Sequence, residues 1–103
     1  MKILQLDTNV NPQLEKPSFN VLLNSDDAKE VSITMRAHHV IAAHKAAFPI
    51  AVHIIEGEIL LGHNEIVHRL QKGNIITIPA NELHDLKANA DSIIRLTIFK
   101  TNR

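Results

Sequence analysis

The sequence predicts an all-β fold, a sandwich or barrel built from many short strands. Two patterns carry that expectation. In most segments apolar residues alternate with polar ones, the period of a half-buried strand. Clusters of Gly, Pro, Asn, Asp and Ser separate these segments at steady intervals and supply the turns. Composition agrees. A chain of 103 residues, 45% hydrophobic and 21% charged, has the length of one domain and the apolar content for a core. The expected organisation is a single domain over residues 1–103, with an N-terminal arm at 1–18 and a barrel at 19–100.

Taken in order, Lys2 to Leu6 is short and apolar, an edge strand or an arm that touches a second copy. Asn9 to Pro17 holds two prolines and two asparagines and reads as an extended connection. From Phe19 the period becomes two. Phe19, Val21 and Leu23 share one face, Ser25-Asp26-Asp27 turns the chain, and Val31, Ile33 and Met35 share the next, giving a hairpin with one buried face. Ala37 to Phe48 has helical propensity in its alanines, but strands flank it and Pro49 limits a helix, so it is expected to be a loop.

Ile50 to Ile55 is apolar at nearly every position, as in a strand covered on both sides. Ile59–Gly62 and Ile66–Leu70 flank a turn at His63-Asn64-Glu65. Ile75–Ile78 follows Gly73 and ends at Pro79-Ala80-Asn81. Leu83–Ala88 and Ile93–Lys100 are joined by a turn at Asn89-Ala90-Asp91.

Charge and residue usage exclude several classes. Lys plus Arg and Asp plus Glu balance at 11 each, so no basic surface points to nucleic acid and no membrane contact is expected. There is no cysteine, hence no disulfide framework or thiol nucleophile. No run is apolar enough for a signal peptide or a bilayer span, and a cytoplasmic protein is the expectation. Seven histidines stand out: His38, His39, His44, His53, His63, His68 and His84.

Two histidines fall inside spaced motifs. Gly73, Pro79 and His84 match G-x5-P-x-G-x2-H-x3-N, with Asn81 at the second glycine and Ala88 at the asparagine. His44 and Gly57 match G-x5-H-x-H-x3-E-x6-G, with His38 at the opening glycine, Ala46 at the second histidine and Ile50 at the glutamate. On these residues the chain resembles a small single-domain, RmlC-like cupin over roughly Phe19 to Lys100. The resemblance implies a double-stranded β-helix, or jelly-roll barrel, and a homodimer.

In the family the barrel holds a metal on three histidines and a glutamate. Carried over by position, only His44 and His84 remain as metal ligands, and protein metal sites normally use three or four side chains. The ligand pocket implied by the resemblance is formed by His44, His84, Ile50 and Val52. His53 has the opposite strand parity to Ile50, Val52 and Ile54 and should face away. His63 and His68 share a face with Ile59, Leu61, Ile66 and Leu70, so one of them can point inward. Asp85 belongs to the face opposite His84.

Three functions stay open on these residues. The first is binding of a small, mostly apolar or weakly anionic molecule near His44 and His84. The second is a metal-dependent enzyme, dioxygenase- or isomerase-like, with a divalent transition metal on a non-standard histidine site. The third is a metal-free isomerase or epimerase with a pocket histidine as general base. Fold alone does not choose among them.

Overall fold

The structure, a computed structural model, describes residues 1–100; the last three positions of the expected domain lie outside the described residues. Among the described residues nine strands make two antiparallel sheets. They are β1 (Ser18–Asn24), β2 (Ala28–Met35), β3 (Val40–His44), β4 (Ile50–Glu56), β5 (Glu58–His63), β6 (Ile66–Gln71), β7 (Ile75–Ile78), β8 (His84–Ala88) and β9 (Ser92–Phe99). One sheet has the order β1-β2-β9-β4-β7 and the other β3-β8-β5-β6, so the chain crosses between sheets repeatedly as in a jelly roll. Among the described residues no helix is long and apolar enough to cross a membrane.

The core lies between the sheets. Period-two alternation puts Ile33, Ile50, Val52, Ile54 and Ile94 inward from the first sheet. Ile59, Leu61, Leu86 and Ala88 face them from the second. Ile54, Ile59, Leu61 and Ile94 are fully buried, each contributing roughly 1.5–3 kcal/mol by leaving water.

Three expectations are corrected. Ala37–Phe48 is not simply a loop, because it contains β3. Val40, Ile41 and His44 pair with Lys87, Leu86 and His84, and a bulge between Ile41 and His44 breaks the alternation that would have marked a strand. The first hairpin does not have one buried face. β1 is a largely exposed edge, whereas β2 is buried on both faces from Glu30 to Met35. Finally, β4 alternates buried Ile50, Val52 and Ile54 with half-buried Ala51, His53 and Ile55, so only its inner face is fully covered.

The N-terminal segment explains β2. It forms no strand. Instead the Asp7 N–H donates to Ser32 Oγ at 3.0 Å, and Leu4 and Leu6 lie near Glu30 and Arg95 on the outer side of the sheet. Beneath it Glu30, 6% exposed, is satisfied by Arg95 Nε and Thr97 Oγ1, both at 2.5 Å. A buried carboxylate is tolerated when such partners replace its water.

Backbone conformation follows the motifs. His38 and Asn81, which stand where the family has glycine, adopt φ of 76° and 64°. Gly57 has φ 90°, and a Cβ there would lie 2.2 Å from Ser92 Oγ, so this tight approach between the β4–β5 turn and β9 requires glycine.

Candidate functional site

β3, β8 and β5 are neighbours, and their register sets three histidines in one row. His44 pairs with His84, and His84 pairs with His63. Register partners in an antiparallel sheet point to the same face, here the inner one, as the buried Leu61 and Leu86 of the same parity show. His84, in the middle, is only 4% exposed; His44 is exposed at the sheet edge and His63 is half-buried. The His44 and His84 ring centroids are 4.4 Å apart with planes tilted by 59°.

Main-chain carbonyls fix two of the rings. His44 Nδ1 lies 2.9 Å from the Ala42 carbonyl and His84 Nδ1 3.0 Å from the Glu82 carbonyl. A carbonyl only accepts, so each Nδ1 carries the proton and donates. The Glu82 carboxylate takes a third ring, accepting from His63 Nε2 at 2.5 Å. Glu82 thus holds two histidines with two different groups. Burial holds His84 below the usual histidine pKa, and the neighbouring His44 and His63 push in the same direction.

Between the sheets, His44 and His84 border a cavity of about 180 Å³. Ile33, Ile50, Val52, Ile94, Leu96 and Ile98 form its wall on one sheet. Ile41 and Leu86 flank the histidines on the other, with Ala46 and the exposed Phe19 alongside. The structure therefore brings His44, His84, Ile50 and Val52 to one space. A second depression, about 380 Å³, surrounds the β5–β6 turn and is lined by His63, Glu65, Ile66, Val67, Leu83 and His84 among others. Its apolar side chains Ile66, Val67 and Leu83 are more than half exposed, so it is a surface groove, more open than the apolar cavity between the sheets.

The chain superposes on the crystal structure of an RmlC-like cupin protein from Desulfovibrio desulfuricans with TM-score 0.86 at 21% identity, covering 97% of each chain. The fold is that of the cupins. An uncharacterised conserved protein with a double-stranded β-helix domain from Klebsiella pneumoniae is also similar, with TM-score 0.84 and 23% identity over 99% of this chain and 92% of that one. So is a cupin superfamily protein from Desulfitobacterium hafniense, with TM-score 0.83 and 11% identity over 97% and 100%. No protein-family model and no curated protein sequence matches the chain.

A cupin barrel implies a metal, and the donor set here does not fit one. Among the described residues no three His, Cys, Asp or Glu side chains converge in a way that could hold an ion. At the two family ligand positions that are changed, Ala46 and Ile50 present hydrocarbon to the cavity. No carboxylate lines the cavity to offset a cation's charge, and His44 and His84 alone fall short of the usual three or four ligands.

The remaining histidines sort by strand parity. His53 is on the outer face, opposite Arg95 and Ile75. His68 pairs with Leu61 and is half-buried. His39 Nδ1 accepts the Arg36 N–H at 3.1 Å within a turn. Asp85 is exposed and accepts the Gly62 N–H. Glu82 is the site residue that sequence reasoning missed. Its only signal was its place two residues before His84, which does not reveal that its side chain reaches across to β5.

Proposed function

We propose that this cupin binds a small, mostly apolar molecule in the barrel cavity, against His44 and His84, with Ile50 and Val52 among its hydrocarbon contacts. The observation that supports this is how polarity is distributed. Of the twelve residues around the cavity, ten are hydrocarbon and the two polar ones are neighbouring imidazoles. Preformed apolar pockets with a few convergent polar groups are the usual form of small-molecule sites. The size suits a single substituted ring, since an apolar cavity of about 150 Å³ takes benzene. Binding is favoured over turnover because the metal that would supply cupin chemistry lacks its ligands and no carboxylate or tyrosine lines the cavity to assist a histidine base.

The test is ligand-dependent thermal stability of the parent and of His44→Ala and His84→Ala, with turnover assayed on the same probes. A molecule that binds only the folded state stabilises by about 2.7 kcal/mol at a hundred times its Kd. The reading expects saturable stabilisation in the parent, weakened in folded variants, without conversion of the probe. Conversion of the probe, or no stabilisation by any ring-sized probe, overturns it. The same reading takes the protein as a homodimer, supported by exposed Phe19 and Val21 on the unpaired edge of β1. Light scattering checks the mass.

A further inference from the structure

The hydrogen bonds around the two cavity histidines say more about what they can recognise. Each Nδ1 is committed to a carbonyl, Ala42 for His44 and Glu82 for His84. A neutral imidazole has one N–H, so the proton on Nδ1 leaves Nε2 as a bare lone pair. Neither Nε2 has a hydrogen-bond partner among the described residues, and no buried side-chain nitrogen or oxygen there is left unsatisfied, so His84 Nε2 opens to free space. The burial that disfavours the charged form of His84 keeps that ring an acceptor.

We propose that the cavity selects a neutral molecule carrying a hydroxyl or N–H donor, such as a phenol or small alcohol, with His44 and His84 as the acceptors. This rests on the binding role proposed above and narrows its ligand class. The hydrocarbon walls, Ile50, Val52 and Leu96 among them, take the apolar body, while the lone pairs take the donor. A carboxylate meets two acceptors and no donor from these rings, so an anion is disfavoured. A purely apolar molecule of the same shape leaves the His84 Nε2 lone pair without a partner.

The test is calorimetric titration of the full chain with phenol, toluene and benzoate at neutral pH, beside nitrogen NMR of the histidine rings. Phenol should bind about tenfold or more tighter than toluene, the size of effect that one or two net hydrogen bonds produce. It should also bind tighter than benzoate. The spectra should show the Nδ1–H tautomer for both rings, with a Nε2 resonance that moves on adding phenol but not toluene. Toluene binding as tightly as phenol, benzoate binding tightest, or an Nε2–H tautomer at His84 would overturn this inference and leave the binding role standing. If none of the three probes binds, both readings fall.

Discussion

Glu82 and His84 are joined through the main chain: the Glu82 carbonyl accepts the His84 Nδ1–H at 3.0 Å, which leaves the Glu82 carboxylate free to take His63 Nε2 at 2.5 Å. One residue thereby orders two rings on adjacent strands, and the two bonds separate under mutation. Glu82→Ala keeps the carbonyl and removes the carboxylate. It should cost about 1 kcal/mol, shift the His63 ring resonances and leave the His84 tautomer unchanged. Chemical denaturation and ring-nitrogen spectra measure both parts. A change of tautomer at His84 would contradict the assignment.

Two glycines with nearly the same φ should respond differently to alanine. Gly57→Ala drives a Cβ to 2.2 Å from Ser92 Oγ and 2.4 Å from the Asp91 carbonyl, whereas Gly73→Ala meets nothing within 4 Å. Gly73→Ala should cost about 1 kcal/mol, from the left-handed backbone alone. Gly57→Ala should cost more than about 2 kcal/mol. Equal costs in urea unfolding would mean that the β4–β5 turn does not press on β9.

Acid should destabilise the fold through His84. Its folded pKa lies below the ordinary histidine value near 6.5, with burial as the main cause, so the unfolded chain binds the proton more readily. The stability this ring contributes is complete above about pH 6.5 and is lost as pH falls through the lowered folded value. Glu58, whose carboxylate is held below its usual pKa of 4.5 by Asn89 and Arg69, acts in a lower window: its contribution is complete above about 4.5 and is lost as pH falls below that value. Thermal unfolding from pH 7.5 to 5 should show a falling Tm that His84→Gln flattens. An unchanged slope in that variant would assign the loss to other groups.

The poor fit to a metal is also reversible by design. Ala46→His together with Ile50→Glu restores the family donor types at the two positions that now present hydrocarbon. The double variant should take up near-stoichiometric divalent transition metal, and the parent should not. Metal content after dialysis against each ion decides it. Stoichiometric metal in the parent, lost in His44→Ala/His84→Ala, would reinstate the metal-dependent reading. Ile50→Glu alone should be costly, because Ile50 is 3% exposed and an unpaired carboxylate there has no compensating charge.

Much of this fold was legible because local signals agreed with the global arrangement. Alternation at Ile50, Val52 and Ile54, and at Ile94, Leu96 and Ile98, marks inward faces directly. The motif positions of His38 and Asn81 also keep the left-handed backbone of the glycines they replace. β3 was not legible, since its alanines favour helix and its bulge hides the period; pairing with β8 makes it a strand. The two-sided burial of β2 depends on the N-terminal segment folding back over Ser32, a contact with no local signature.

The site was half legible for the same reason. Spacing singled out His44 and His84, and strand parity allowed His63 to face inward. That His63 stands beside His84 depends on the β5–β8 register, which one sequence does not disclose.

A small molecule seated in the barrel cavity against the histidine pair should be visible in a carbon–proton methyl spectrum of the protein titrated with phenol. Saturable shifts are expected at Ile50, Val52, Ile94 and Leu96, which line the cavity, and none at the exposed methyls of Ile66 and Val67 on the outer groove. Shifts confined to Ile66 and Val67, or no saturable shift anywhere, would contradict binding in the cavity.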